Sequence, residues 1–154
     1  MRLFAMCAIL MIVIQGTVAA QDASKRSLVA RLKNVGAEDC GCSFQRPGPP
    51  QNKMYYLFFS RKADAEKIAW MNIDGNDVKL TLVRKTDPRG KARAGSKWTR
   101  RYVAEGISVE ATYIASQVCK GNFENCDWAK YFATFVVRKG DRTQVVKAVG
   151  ECGC

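Results

Sequence analysis

The residues of this chain with chemical content are its cysteines and a dense run of cations. There is no histidine anywhere. Cys40-Gly-Cys42 and Cys152-Gly-Cys154 stand near the two ends of the segment that can fold, and Cys119 and Cys126 flank a short polar stretch between them. A Cys119–Cys126 bridge would staple an eight-residue hairpin loop, an easy closure and the likeliest single pairing. Within a Cys-Gly-Cys the two thiols cannot meet, because an extended backbone sends alternate side chains the same way but about 7 Å apart. The economical pairing joins one Cys-Gly-Cys to the other, and which cysteine meets which stays open. The alternatives are metal and redox chemistry. Zinc knuckles use Cys-x2-Cys, so a one-residue spacing does not suit them. A copper thiolate cluster is conceivable, and redox catalysis would lack the helix N-terminus that lowers a thiol pKa. An even set of six cysteines in an exported chain reads first as three structural disulfides.

The second feature is the segment from Arg84 to Arg101. It holds Arg84, Lys85, Arg89, Lys91, Arg93, Lys97, Arg100 and Arg101 against Asp87 alone, a net charge of +7 in 18 residues. Asp87-Pro88-Arg89-Gly90 signals a turn and Gly95 a second hinge. Trp98 and Tyr102 alternate with the cations near its end, and Trp70 stands opposite Lys79 on the outer face of the preceding hairpin. A cationic loop with aromatic platforms is suited to phosphates, an anionic glycan or a lipid headgroup. The plainer reading is a solvated loop whose charge protects a sheet edge.

The absence of histidine removes His-based triads, ligands and general bases together. No Gly-x-Ser-x-Gly, no phosphate-cradling glycine loop and no Asn-x-Ser/Thr site occurs. Asp74-Gly75-Asn76-Asp77 lacks the ligand spacing and distal Glu of a calcium loop. Glu105 with Glu110, or Glu124 with Asp127, would be the carboxylate pairs for acid–base work. Both sit near expected turns, where acidic residues are ordinary. The reading leans away from an enzyme and assigns no catalytic residue, cofactor or metal.

Elements must position these groups, and the N-terminus comes first. Arg2 precedes an apolar run of twelve residues, Leu3 to Ile14, and Val18-Ala19-Ala20 supplies small residues before Gln21. That is the pattern of an export signal cleaved after Ala20, and the run is shorter than the ~20 residues a spanning helix needs. Cleavage removes Cys7 and one Arg, leaving six cysteines and 24 basic against 14 acidic residues, a net charge of +10. The destination is the periplasm or the extracellular space. Residues 21–52 read as an N-terminal leader followed by a Cys/Pro-rich surface loop. Within them Leu28, Val29 and Leu32 are spaced as one face of a two-turn helix, too short to stand alone. Residues 53–154 read as the folded domain.

Ile68 to Val83 is its centre, two alternating runs hinged on Asp74-Gly75-Asn76-Asp77. Ala69, Met71 and Ile73 share one face with Val78, Leu80 and Leu82. Either Asp74-Gly75 or Gly75-Asn76 serves as the two-residue loop, and both choices keep that face inward. Met54–Phe59, Trp98–Glu105, Ile107–Val118, Trp128–Lys139 and Thr143–Val149 supply further strands. No long pattern of period 3.6 separates them, so parallel βαβ units are excluded. The expected fold is mainly β, a single antiparallel meander of about seven strands closing as a small barrel or sandwich tied by disulfides.

The function this supports is an exported binding or interaction module that contacts an anionic polymer, a lipid surface or an acidic protein through 84–101. The alternatives are an envelope-associated structural protein without a specific ligand and a periplasmic inhibitor of a hydrolase. The expected architecture resembles that of periplasmic lysozyme inhibitors, but their loop motif has no match here, and a basic chain suits a basic lysozyme poorly.

Overall fold

Alternation with period two dominates the chain, and the fold follows from closing those alternating strands on one another. The structure, a computed structural model, describes residues 27–34, 40–48, 55–62, 67–89, 92–119 and 128–153. The expected export signal, Lys91, Cys126, Cys154 and the Glu124/Asp127 pair lie outside these residues. Among the described residues nine strands form: β1 (Val29–Ala30), β2 (Gly41–Gln45), β3 (Phe58–Arg61), β4 (Ile68–Ile73), β5 (Asn76–Thr86), β6 (Lys97–Ala104), β7 (Ile107–Val118), β8 (Trp128–Lys139) and β9 (Arg142–Gly153). Each of β2 to β8 pairs antiparallel with its successor, and β9 pairs back onto β2. The result is a closed eight-stranded up-and-down barrel, which leaves no exposed sheet edge among these strands. The small ninth strand, β1, lies against the end of β4, with Val29 opposite Ile73.

The meander, its antiparallel sense and its closure are those expected from the sequence. The β4–β5 register sets Ile73 opposite Asn76, so Asp74-Gly75 is the two-residue loop. Both residues take positive φ, 51° and 82°, as that tight turn demands.

Three stretches differ from expectation. Gly41–Gln45, read as part of a surface loop, is β2 and closes the barrel between β3 and β9. Of the expected strand Met54–Phe59, Met54 lies outside the described residues, and from Tyr55 the ladder begins only at Phe58. Leu28, Val29 and Leu32 are buried, but in and around a strand and not on a helix. They dock because the backbone finds partners: Gln144 Oε1 accepts from Val29 N at 2.9 Å, and Arg46 donates to Val29 O at 3.1 Å. Asp77 Oδ2 accepts from Lys33 N and Asn34 N at 2.8 and 2.9 Å.

Inward positions fill the barrel. Phe44 lies at its centre, 5.1 Å from Tyr113, 5.6 Å from Phe135 and 5.9 Å from Phe58 between ring centroids. Phe44 pairs with Gly150 across the β2–β9 ladder. A Cβ at Gly150 would collide with that ring and with the Ser43 carbonyl, so only glycine admits this packing.

The two ends of the barrel differ. Short turns at 74–75, 105–106 and 140–141 close one end, where the β1 segment also docks. The strand ends joined by the longer connections 62–67, 87–96 and 119–127 lie at the other end, with the outer termini of β2 and β9.

Candidate functional site

The long-loop end carries most of the residues that the sequence singles out. Cys42 and Cys152 face each other across β2–β9 and are disulfide-bonded, with Cα atoms 4.0 Å apart. One Cys-Gly-Cys is therefore joined to the other, and the bond ties the strand pair that closes the barrel. Cys40 and Cys119 each take part in a disulfide as well, not with one another. The Cys119–Cys126 pairing involves a residue outside those described. The described cysteines are thus not thiolates, and among the described residues no cluster of Cys, Asp and Glu is placed to hold a metal ion.

The cationic segment is largely strand. Arg84 and Lys85 end β5, while Lys97, Arg100 and Arg101 belong to β6. A bulge at Val83 reverses the parity of β5. Val78, Leu80 and Leu82 lie on the core side, and after the bulge Arg84 turns outward opposite Arg101. Two cations stand side by side on the exposed face, flanked by the Thr86–Thr99 pair. Like charges directly opposite one another are unfavourable in a sheet. Arg101 has Glu110 as its neighbour on β7, yet among the described residues neither Arg84 nor Arg101 forms an ion pair. Arg89, Arg93 and Lys97 are exposed at the same end.

Arg100 and Trp98 take the other face. Arg100 is 7% exposed. Its Nη2 bonds Asp87 Oδ1 at 2.7 Å, and its Nη1 donates to the carbonyls of Thr99 and Thr86 at 3.0 and 3.3 Å. Asp87, the segment's single acid, is thereby committed, with Lys85 reaching its second oxygen at 3.8 Å. Trp98 points into the barrel, edge-on to Tyr131 at 5.3 Å. A cavity of about 60 Å³ lies there among Trp98, Arg100, Ser60 and the Cys42–Cys152 bridge. That is room for a water or two. The outward cations are therefore Arg84, Arg101, Arg89, Arg93 and Lys97, with Lys85 half-engaged.

The structure adds residues that the sequence did not single out. A groove of about 600 Å³ runs between the 92–94 loop and the start of β8, and Arg93, Ser116, Gln117 and Trp128 line it. Trp128 is 38% exposed, and Lys130 Nζ sits 5.6 Å from its ring centroid. The signal available in the sequence was Trp128 at the head of a strand, beside a cysteine-flanked loop.

Comparison with protein-family models, curated proteins and solved structures finds no match for this chain. The class that fold and site define is a small disulfide-tied up-and-down β-barrel with a cationic end.

Proposed function

We propose that this protein is an exported, non-enzymatic binding module that takes an anionic polymer at the long-loop end of its barrel. The observation that carries this reading is the Arg84–Arg101 pair. Two exposed cations are held opposite one another, and the segment's single carboxylate is bonded to buried Arg100 instead. An anion lying across β5–β6 would relieve their mutual repulsion and meet the Thr86 and Thr99 hydroxyls beside them. Arg89, Arg93 and Lys97 extend the same field toward the loop tip. Such fields raise the local concentration of anionic partners and make binding steeply salt-dependent.

Retention on immobilised heparin under a salt gradient tests the reading. The wild-type chain is expected to elute at high salt, and Arg84→Glu/Arg101→Glu well before it. Arg138→Glu/Lys147→Glu makes the same change in net charge on exposed positions of β8 and β9, and it is expected to shift elution far less. Equal shifts from the two pairs would reduce the effect to overall charge. Failure of the wild type to bind would remove the proposal altogether.

A further inference from the structure

We infer that the groove beside the cationic strands is a subsite for one ring of an acidic glycan, with Trp128 as the platform and Arg93 as the anchor for its acidic group. The inference rests on the anionic-polymer reading and narrows the polymer to a sulfated or carboxylated polysaccharide.

The groove is built on fixed backbone. Arg93 N donates to Ser96 Oγ at 3.0 Å and Ser96 N to Arg93 O at 2.9 Å, closing a tight turn. That turn is sewn onto β7: Gly95 N donates to Ala115 O at 2.8 Å, and Ala115 N donates to Ser96 O at 2.9 Å. Gly95 has φ 84°, which the turn requires and which a residue with a Cβ rarely adopts. Arg93 is thereby held beside β7 and is not swung on a free loop. Next to the contact, β7 bulges between Ala115 and Gln117. Ser116 leaves the ladder there and joins Gln117 along the groove wall. Bulges of this kind re-aim side chains and recur beside binding sites.

The lining matches the chemistry of a charged sugar. Trp128 supplies a flat apolar face, with Ala92, Ala94 and Val118 around it. Ser116 and Gln117 supply hydroxyl and carboxamide groups that both donate and accept, as sugar hydroxyls require. Among the described residues Arg93 is the single charged one in the lining, and Lys130 adds a second cation over the Trp128 ring. The volume lies within the range of small-ligand sites and suits one or two sugar rings. A nucleic-acid strand asks for a succession of stacking platforms. Among the described residues that line the groove, Trp128 is the single aromatic ring, and Trp98 is turned into the core. Arg93 lies in the connection between the two strands that carry Arg84 and Arg101, so a chain seated on Trp128 would continue onto the cationic pair.

The test compares two anions of matched charge by calorimetry on the mature chain: a short heparin oligosaccharide and a linear polyphosphate without rings. The wild type is expected to prefer the oligosaccharide. Trp128→Ala should weaken the oligosaccharide about tenfold, the scale of one lost aromatic contact with its buried area, and leave polyphosphate within about twofold. Trp128→Phe should restore most of the preference, which separates the platform from a folding defect. Arg93→Gln should weaken both anions. Equal affinity for the two anions in the wild type, or equal losses in Trp128→Ala, would overturn the glycan subsite while leaving the polymer reading intact. Tighter binding of a single-stranded oligonucleotide than of the oligosaccharide would also overturn it. Binding of none of the three would overturn both readings.

Discussion

Arg100 is the one described cation of its segment that the fold withdraws from solvent, and its partner decides what the others can do. A buried guanidinium needs its donors filled, and Asp87 with the Thr86 and Thr99 carbonyls fills them. Asp87 is itself 45% exposed, so water screens the pair and its worth is below that of a fully buried one. Asp87→Asn is expected to cost about 1–3 kcal/mol in a urea unfolding curve. In the same variant heparin retention should rise, since the segment loses its only negative charge. A variant that kept its stability, or that lost retention, would show that Asp87 serves the cations differently. The cluster of cations was legible in the sequence because charge density needs no geometry. Its division between two faces was not. Strict alternation would send Arg84 inward with Leu80 and Leu82, and one bulged residue, Val83, reverses that parity. Trp98, which alternation among cations makes look like an outer platform, obeys the inward parity of Tyr102 and packs on Tyr131.

At the scale of elements, the segment around β1 shows what holds when a strand is too short to hold itself. Two ladder residues fix little, and the docking depends on side chains reaching the backbone from three directions. Asp77 is the most engaged of them, accepting from Lys33 N, Asn34 N and Asn72 Nδ2. Burial pushes the Asp77 carboxyl up, but the hydrogen bonds from Asn72, Asn34 and Lys33 outweigh it and hold the group below its ordinary value. A carboxyl lowered on folding contributes stability that is complete above the unfolded value near 3.8, and that disappears as pH falls through the lower folded value. Asp77→Ala is expected to lower the unfolding free energy at pH 7 by about 1–2 kcal/mol. The gap from wild type should narrow below pH 4, measured by thermal melts across pH 2 to 7. A constant gap would place the effect in packing and not in the carboxylate. The long alternating elements β7 and β8 were visible from the sequence to the residue, because period two over twelve positions has no rival reading, whereas β5 runs three residues past Val83 into the stretch read as a loop. β2 was not, since five residues beside a proline cluster carry too little pattern. Its partner β9 lies more than a hundred positions away, where no local rule reaches. β1 failed for the same reason: three apolar residues fit a helix face and a docked strand equally well.

On the scale of the whole molecule, the barrel separates its two kinds of work by end. The short-turn end holds Asp74, Asp77, Glu105 and Asp141 among its turns. There Asp74 bonds both Lys139 and Arg142 at 2.8 Å, joining the β4–β5 turn to the β8–β9 turn. Asp74 and Asp77 are engaged there in structural contacts. The long-loop end holds the disulfides, the cationic strands and the groove, so the outward cations Arg84, Arg89, Arg93, Lys97 and Arg101 stand where the covalent ties are. This arrangement has a physical reason. Closing a meander into a barrel requires its first and last strands to meet, and their encounter costs the loop-closure entropy of nearly the entire chain. The Cys42–Cys152 bond spans 110 residues and removes much of that cost from the unfolded state. The chain-entropy estimate for such a loop is about 4–5 kcal/mol. The variant Cys42→Ala/Cys152→Ala is therefore expected to unfold at distinctly lower urea, by up to that amount, with its β-sheet circular dichroism retained in the absence of denaturant. Its heparin retention should stay close to wild type, because Arg84 and Arg101 lie on β5 and β6, three strands from the seam. An unchanged midpoint would mean that the β2–β9 hydrogen bonds and the Phe44 cluster close the barrel unaided. A loss of retention at full stability would mean that the seam itself forms part of the binding surface.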